Sequence, residues 1–401
     1  MNPRLSSLFL FLLIFALQAS FARADVLGPN LTFNINTGKV YSQKNPFDQW
    51  YPASITKMMT AYTVFREIKR GHIAMNSPVR VSPISLAKPP SKMGFPVGTI
   101  LTIEAGLKII LVKSANDIAA AVAESVGGSE EEFANLMNEY AADIGMKSSH
   151  FVNAHGLHDP EQYTTAYDLG ILARQIYREF PEYSKLFGIH GIKVGKRNYR
   201  NHNALMRVYP GTIGMKTGFI CAGGLSLVTS SKYNGEIIVS VILGGRTGND
   251  RNVLAAELQT VAAKRVETDS LVDFDTLKPW RKPLPPVDVS EQVCKKKGRA
   301  SATLMYDDEA IEYFAIQNIS LEERKERYFS TNPVSSDVEL VELGGANGPD
   351  PYELLVEKPP INLTEEFAEG SEGDEPLERF ELENGIVVAL PIWRPLAQYS
   401  P

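Results

Sequence analysis

The chain has 401 residues, of which 44% are hydrophobic and 22% charged, and its formal net charge is -6. This is the composition of an ordinary globular protein, and the length is sufficient for two domains. A negative net charge provides no basic field for binding a nucleic acid, so we expect no nucleic-acid partner.

The N-terminus has the pattern of a secretory signal peptide. Arg4 precedes an unbroken apolar run over residues 8–17, and Ala22-Arg-Ala24 places small residues where a signal peptidase cleaves. The run is too short to span a bilayer, and no later stretch is long and apolar enough to do so. We therefore expect residues 1–24 to be a cleaved signal peptide, with an uncleaved N-terminal anchor as the alternative.

Residues 25–264 alternate short strands with strong helices and predict one domain of the α/β class. Ser129, followed three residues later by Glu132, is a capping box that marks the start of a helix. The predicted strands are Leu31–Asn36 and Ile237–Leu243, and the predicted helices follow Ser54, Glu104 and Ser129 and cover Ala166–Phe180.

The composition changes after about residue 270. Prolines at positions 279, 283, 285 and 286 predict a linker over residues 265–290. In the C-terminal region, 291–401, the pattern at 301–319 predicts strand and a short helix, and the pattern at 383–392 predicts a last strand. Residues 337–379, which are rich in Glu, Asp, Gly and Pro, predict mobile loops.

The two cysteines, Cys221 and Cys294, are too few for a disulfide-dominated scaffold or for an unaided structural zinc site. They could pair, but the sequence does not decide it. For Cys221 alone we favour a small packed residue over a reactive thiol.

Three short motifs carry the candidate chemistry: Ser54-Ile-Thr-Lys57, Ser114-Ala-Asn116 and Lys216-Thr-Gly218. The first two patterns are weak, because Ser85-Leu-Ala-Lys88 repeats the first and Ser330-Thr-Asn332 repeats the second. The Lys-Thr-Gly sequence is rarer, and chance places it in about one chain of this size in ten.

Residues that follow each motif distinguish the copies. A serine and a lysine three residues apart share a face only in a helix, and the residues after Lys57 can continue one. Lys88 is followed by two prolines, which favour a loop in which Ser85 is a surface serine. Asn332 likewise precedes a proline, whereas Ser114-Ala-Asn116 interrupts two helical runs and can present its side chains to a cleft.

A serine and a lysine on one face suggest nucleophilic catalysis. A serine hydroxyl needs a neighbouring base, and a lysine can serve if burial or a second cation such as Lys216 keeps it neutral. The ammonium of Lys216 and the hydroxyl of Thr217 suit a carboxylate, and Gly218 would let a substrate approach the strand backbone. The motifs therefore suggest acyl transfer on a substrate that ends in a carboxylate.

The sequence resembles the penicillin-recognising serine D-Ala-D-Ala carboxypeptidases, which are low-molecular-weight penicillin-binding proteins of the peptidase S11 type. The three motifs stand in the order of that family, and the resemblance covers about residues 25–262. The segments that match the family include Tyr51–Ala61, Ser114–Ala119, Gly145-Met146, Phe151–Asn153, His155–Leu157, Tyr163–Ala166 and Gly214–Gly218.

The resemblance implies a fold and a set of residue roles. The fold would be a central antiparallel sheet flanked by helices on both faces, plus a smaller β-rich C-terminal domain. No metal or organic cofactor is implied. The roles would be Ser54 as nucleophile, Lys57 as general base, Ser114 as proton relay, Asn116, Lys216, Thr217 and Gly218 as substrate-binding residues, and the backbone N–H groups of Ser54 and Phe219 as the oxyanion hole.

The implied reaction is hydrolysis of the terminal D-Ala-D-Ala bond of peptidoglycan stem peptides, with β-lactam antibiotics as acylating ligands. The resemblance places it in the periplasm or at the outer face of the inner membrane. One alternative is a serine β-lactamase. A class A β-lactamase needs a glutamate for deacylation, and no motif in this sequence matches the one that carries it. Another is a non-catalytic cell-wall-binding protein on the same fold.

Two further sequence features bear on a metal site and on membrane binding. His150, His155 and His158 crowd together, but no His-Glu-x-x-His motif is present and Gly156 and Pro160 break any helix that could align ligands, so we expect no metal site. Residues 387–401 contain three prolines and no lysine-rich face, so they do not predict the amphipathic membrane-binding helix found at the end of many family members.

Overall fold

The computed structural model describes residues 26–209, 211–264, 271–295 and 338–350, and the backbone of residues 378–381 and 387–390. The predicted signal peptide, the strand and short helix predicted at 301–319 and the last eleven residues lie outside this description. The chain divides into two compact units, Met1–Leu354 and Leu355–Pro401.

Nine α-helices are present in the described residues, and several short helical turns accompany them. The helices are α1 Thr56–Lys69, α2 Pro83–Ala87, α3 Ile103–Val112, α4 Asn116–Gly127, α5 Glu130–Asp143, α6 Ala166–Glu179, α7 Pro181–Ser184, α8 Leu205–Val208 and α9 Gly248–Lys264.

The described strands are numbered in chain order. They are β1 Asn30–Asn34, β2 Val40–Lys44, β3 Gln49–Trp50, β4 Pro78–Arg80, β5 Ile100–Thr102, β6 Thr164–Thr165, β7 Gly191–Val194, β8 Arg197–Arg200, β9 Thr212–Ile220, β10 Gly224–Tyr233, β11 Glu236–Gly245, β12 Val338–Val341, β13 Glu378–Glu381 and β14 Val387–Leu390.

The central sheet has five strands in the order β2-β1-β11-β10-β9, and every neighbouring pair is antiparallel. Its longest hairpin joins β10 to β11 through Asn234-Gly235, and both residues have positive φ, at 49° and 89°. An Asn-Gly pair readily adopts the two-residue turn whose twist matches paired strands, so the local sequence sets this register.

Helices cover both faces of this sheet. Leu227 and Ile242 pack in a cluster with α8 and α9, whereas their neighbours Val228 and Val241 belong to the main core with α1 and α3–α6. Because successive residues of a strand point to opposite faces, this alternation places a helical layer on each side. The predicted fold class is therefore confirmed.

The helices and strands predicted for residues 25–264 are also confirmed. Helices α1, α3, α5 and α6 and strands β1 and β11 lie where the patterns placed them, with ends that differ by a few residues. At the start of α5 the side chain of Ser129 accepts a hydrogen bond from the Glu132 N–H at 3.0 Å, as its capping role requires.

The second Ser-x-x-Lys copy differs from its prediction. Ser85 is fully buried inside the short helix α2, where its side chain and that of Ser82 cap each other's backbone N–H groups at 2.9 Å. The prediction of a surface serine in a loop is therefore wrong. Lys88 has nevertheless left the helix, with ψ at 139°, as the following prolines require.

The proline-containing segment 271–295 packs against the rest of the first compact unit. Phe274 is fully buried and stacks on Tyr167 with 4.6 Å between ring centroids. Arg281 forms a two-fold hydrogen-bonded ion pair with Asp48, and Val289 is buried. These contacts hold the segment in place along most of its length.

The described part of the C-terminal region contains three strands. β12 pairs in parallel with β7, so residues 338–341 are a strand where the composition predicted loops. In the second unit, β13 and β14 pair antiparallel, and β14 lies within the predicted strand 383–392. Among the residues that the structure describes, no helix is long and apolar enough to cross a membrane.

Cys221 and Cys294 form a disulfide with 5.7 Å between their Cα atoms, which answers the question of pairing that the sequence left open. The bond joins the β9–β10 turn to the end of segment 271–295, beside a hydrogen bond from Val289 N–H to Ala222 O at 3.0 Å. Pairing depends on the docking of that segment, which the local sequence does not reveal.

We expect the double variant Cys221→Ser/Cys294→Ser to lose about 2–4 kcal/mol of unfolding free energy, because the bond closes a loop of 73 residues in the unfolded chain. Thermal unfolding with and without a thiol reductant measures this. The reductant should lower the Tm of the wild type towards that of the double variant and leave the variant unchanged. A wild-type Tm that is insensitive to complete reduction would contradict the stabilising role.

Candidate active site

The three sequence motifs meet at the edge of the central sheet. Ser54 lies in a single 3₁₀ turn, Ala53–Ile55, that leads directly into α1, which carries Lys57. Ser114 occupies the link between α3 and α4, and Asn116 is the first residue of α4. The Lys-Thr-Gly motif lies in β9, the edge strand.

Ser54 and Lys57 share one helical face, as their spacing predicts. Lys57 Nζ lies 3.2 Å from Ser54 Oγ. The amine is completely buried and also donates to Asn116 Oδ1 at 2.8 Å and to the carbonyl oxygen of His155. Asn116 Nδ2 donates to Pro89 O at 2.9 Å, which fixes the orientation of the amide.

These three contacts define what a neutral Lys57 can do. The amide oxygen of Asn116 and the carbonyl of His155 can only accept hydrogen bonds. A neutral amine has two hydrogens, and these two acceptors use both. The remaining lone pair then faces Ser54 Oγ, which is the arrangement that a general base needs.

The surroundings favour the neutral amine. Burial holds the pKa of Lys57 well below its ordinary value, and the positive charge of Lys216 lowers it further. The carboxylates of Asp117 and Glu130 act in the opposite direction but do not reverse the shift. Lys57 is therefore deprotonated more easily than an exposed lysine, as a general base requires.

The second half of the site joins Ser114 to Lys216. Lys216 Nζ donates to Ser114 Oγ at 2.9 Å and to Thr217 O at 3.0 Å, and it is 1% exposed. Burial, followed by the charge of Arg251, lowers the pKa of Lys216 to about 7. Ser114 has a φ of 61°, a left-handed conformation that non-glycine residues adopt at an energetic cost.

Two glycines allow the backbone to close around Ser54. A Cβ on Gly218 would lie 2.8 Å from Pro52 O, and a Cβ on Gly156, whose φ is +84°, would lie 1.9 Å from Ala53 O. The absence of a side chain at Gly218 therefore lets the turn that carries Ser54 pack directly against β9. The sequence predicted a different use of this glycine, the close approach of a substrate to the strand. Phe219 follows on the same strand with 41% of its surface exposed.

Four residues of this site were missed or misjudged from sequence. Arg251, in the first turns of α9, is 6% exposed and lies close enough to affect Lys216. Lys88, Glu130 and His155 form a polar cluster close to Lys57. The sequence patterns that include Lys88 and His155 do not indicate these contacts, because only the tertiary fold makes them.

The histidines that suggested a metal site have separate environments. His150 Nδ1 contacts Glu161 O at 2.8 Å, His155 accepts from Leu157 N–H at 3.1 Å, and His158 meets Tyr51 edge-on. Within the described ranges, no group of three or more His, Cys, Asp or Glu residues is arranged to hold a metal ion.

Comparison with known proteins identifies the family of the chain. Residues 28–247, more than half of the chain, match the family described as Peptidase_S11: D-alanyl-D-alanine carboxypeptidase. The chain is 32% identical over 241 residues to D-alanyl-D-alanine carboxypeptidase DacF of Bacillus subtilis (strain 168), a match that covers 59% of this chain and 62% of that protein. It is 31% identical over 265 residues to D-alanyl-D-alanine carboxypeptidase DacA of Haemophilus influenzae, covering 63% and 67% respectively.

A solved structure shares the fold. The crystal structure of penicillin binding protein 5 from Haemophilus influenzae matches with a TM-score of 0.56 and 30% identity, over 59% of this chain and 70% of that one. The chain spans roughly three fifths to two thirds of the two curated relatives' lengths. From the match over residues 28–247, the chain belongs to the Peptidase S11 family of D-alanyl-D-alanine carboxypeptidases.

Proposed function

We propose that the protein is a serine D-Ala-D-Ala carboxypeptidase that removes the terminal D-alanine of peptidoglycan stem pentapeptides and is acylated by penicillins. The observation that carries the proposal is the Ser54–Lys57 pair, with 3.2 Å between Oγ and Nζ and both other Nζ contacts made to acceptors. Family membership and the penicillin-binding solved relative support the substrate class.

In the proposed acylation, Ser54 Oγ attacks the carbonyl carbon of the penultimate D-alanine and passes its proton to Lys57. The oxyanion forms beside the backbone N–H groups of Ser54 and Phe219. Ser114, hydrogen-bonded to Lys216, relays a proton to the nitrogen of the departing D-alanine as the C–N bond breaks. Water then hydrolyses the ester and regenerates Ser54.

Lys216, Thr217 and Asn116 are the proposed substrate-binding side chains, and Gly218 allows close approach. In the free protein the buried amine of Lys216 titrates near neutral pH, because its pKa is lowered to about 7 by burial and by Arg251. A bound carboxylate would raise that pKa again, since an opposite charge favours the ammonium form. Substrate binding and protonation of Lys216 are therefore coupled.

We expect Lys216→Ala to raise KM by on the order of 10- to 100-fold for peptides that end in a carboxylate. The increase for an amidated analogue should be far smaller, because its neutral end forms no ion pair. Lys232→Ala, an exposed lysine on the neighbouring strand, is the control and should change neither value. Equal effects on both peptides would rule out the carboxylate anchor.

Labelled penicillin and release of free D-alanine test the proposal together. We expect a covalent adduct that lasts minutes or longer. A β-lactamase of class A uses a glutamate to hydrolyse the adduct, and the carboxylates near Lys57 are already held by other groups. Asp117 accepts from Met93 N–H and Gly94 N–H, and Glu130 is bound by Lys88. Rapid turnover of the antibiotic would favour a β-lactamase. A protein that neither binds penicillin nor releases D-alanine would be a non-catalytic binding module.

The site and the N-terminal pattern support further proposals on organisation. We propose that residues 25–264 are the catalytic domain, exported by the signal peptide 1–24 to the periplasm or the outer face of the inner membrane. Residues 265–290 would link it to the C-terminal region 291–401. The peptidoglycan stem peptide is the proposed partner, and nucleic acids are not.

A further inference from the structure

Three side chains that the proposed acylation does not use meet near Lys57, and we name them the Lys88–Glu130–His155 cluster. Lys88 Nζ lies 2.6 Å from Glu130 Oε2, and His155 Nε2 lies 3.1 Å from Glu130 Oε1. The three residues come from separate segments: the end of α2, the first residue of α5 and the loop between α5 and β6. Their convergence is a product of the tertiary fold.

The cluster is mostly shielded from solvent and has a defined polarity. His155 is 4% exposed, and the Glu130 side chain is 16% exposed. His155 Nδ1 accepts from Leu157 N–H at 3.1 Å, so a neutral ring carries its proton on Nε2, facing Glu130. The Nε2 contact lacks hydrogen-bond alignment, so the attraction between the ring and the carboxylate is electrostatic.

The protonation states agree with that assignment. Burial keeps the pKa of His155 below its ordinary value, although the carboxylate of Glu130 opposes this. Burial would raise the pKa of Glu130, but its contacts with His155 and Lys88 outweigh burial and hold the pKa at about 2. Glu130 therefore remains a carboxylate throughout the range in which an exported enzyme works.

His155 connects the cluster to the reacting groups. Its carbonyl oxygen accepts a hydrogen bond from Lys57 Nζ. The next residue, Gly156, packs so tightly on the serine turn that an added Cβ would lie 1.9 Å from Ala53 O and 2.9 Å from Ser54 N. A shift of the His155–Gly156 peptide would consequently move both the amine and the serine.

The charges around Lys57 come from three elements. Lys216 on β9 disfavours the ammonium form, whereas Asp117 on α4 and Glu130 on α5 favour it. Asp117 is engaged by the N–H groups of Met93 and Gly94 at 2.8–3.0 Å. Glu130 is engaged by Lys88, whose positive charge offsets part of its effect.

We propose that Glu130, held by Lys88, is a positioning residue that fixes the ring and carbonyl of His155 and thereby the amine of Lys57 against Ser54. Its negative charge, partly offset by Lys88, also adjusts the pH at which Lys57 becomes a base. This inference rests on the proposed acyl transfer at Ser54. In the second Ser-x-x-Lys copy, Lys88 would therefore act by holding Glu130, whereas Ser85 has only a structural role as a helix cap.

The test measures the rate of acylation by labelled penicillin against pH in four variants. Glu130→Gln removes the charge and keeps the shape, and Lys88→Met removes the offsetting cation. Lys88→Arg keeps that cation. Glu131→Gln makes the same chemical change at the next residue of α5, which is exposed, and is the matched control. Tm is recorded for each variant to separate unfolding from lost positioning.

We expect Glu130→Gln to lower the plateau rate about tenfold or more, because the base is held less accurately. The acidic limb of the pH–rate profile, over which the acylation rate rises with pH, should move to lower pH by about half a unit. The reason is that Glu130→Gln removes a negative charge that favours the ammonium form of Lys57. Lys88→Met should move the limb up, because Glu130 is then less neutralised. Lys88→Arg and Glu131→Gln should keep the limb of the wild type.

A structural defect that exposes Lys57 would move the rise of the rate to higher pH in both variants, so opposite movements indicate the effect of the charges. The inference is overturned if Glu130→Gln behaves like Glu131→Gln in both plateau and limb. If Glu130→Gln does not fold, Lys88→Met decides: an upward shift supports the inference and an unshifted limb overturns it. A wild-type protein that is never acylated would instead reject the proposed function, and this inference with it.

Discussion

Replacing Ser54 by alanine should abolish acylation by penicillin and reduce D-alanine release by about four orders of magnitude. The reason is chemical: without Oγ no ester can form, and Lys57 has no hydroxyl to deprotonate. Only substrate binding and the oxyanion site remain to promote direct attack by water. Steady-state release of D-alanine and labelling with a radioactive or fluorescent penicillin measure the two effects.

Ser85→Ala is the matched control, because Ser85 begins the other Ser-x-x-Lys copy. It removes one half of the reciprocal cap with Ser82 at the start of α2, which should cost about 1 kcal/mol of stability. Acylation per folded molecule should equal that of the wild type. D-Alanine release by Ser54→Ala at the wild-type rate would refute the assignment of the nucleophile.

Loss of the amine of Lys57 has the second largest expected effect. Both Lys57→Met and Lys57→Arg should slow acylation by about a thousandfold or more, which combines the loss of a general base with disturbed positioning of Ser54. Arginine keeps the positive charge but cannot give up its proton in proteins. If Lys57→Arg retained substantial activity, the residue would act through its charge and would not be the base.

The pH dependence of the wild type tests the same role. Only the neutral form of Lys57 can accept the proton, so at saturating penicillin, whose carboxylate keeps Lys216 protonated, the acylation rate should rise with pH and then level off. Burial and Lys216 hold the pKa of Lys57 well below its ordinary value, so the limb should lie far below pH 10.4, where an exposed lysine titrates. Since the two lysines interact, the limb reports the pair. A limb near pH 10.4 would contradict a buried base.

The central part of the site was predictable because its signals are local. Whether Ser54 and Lys57 can share a helical face depends only on the residues between and just after them, and the structure confirms that face. Ser114-Ala-Asn116 and Lys216-Thr-Gly218 follow in the order of the family, and this order identified the remaining groups of the site. Hydrophobic alternation likewise located β1 and β11 on the central sheet.

Features that depend on distant contacts were not predictable from the same patterns. The prolines after Lys88 led to the prediction that Ser85 is a surface residue in a loop. Its burial depends instead on the residues that pack over α2. The Cys221–Cys294 pair requires segment 271–295 to dock beside β9 and β10. Strand β12 gains its partner from β7, well over a hundred residues earlier in the chain.

The charges that adjust the site belong to the same class. Glu130 is the first residue after the cap of α5, where an acidic residue is explained by the helix dipole alone. Arg251 lies in an otherwise unremarkable helix start. Each acquires its effect on Lys57 or Lys216 only when the fold removes water from between the groups, which lowers the local dielectric screening.

Mapping of the penicillin adduct by mass spectrometry tests acyl transfer at Ser54 most directly. The protein is incubated with penicillin, quenched with acid and digested, and the modified peptide is sequenced. We predict one penicilloyl group, attached to Ser54 in the peptide that also contains Lys57. An adduct on Ser85 or Ser114, or no adduct in a protein that still releases D-alanine, would contradict Ser54 as the nucleophile.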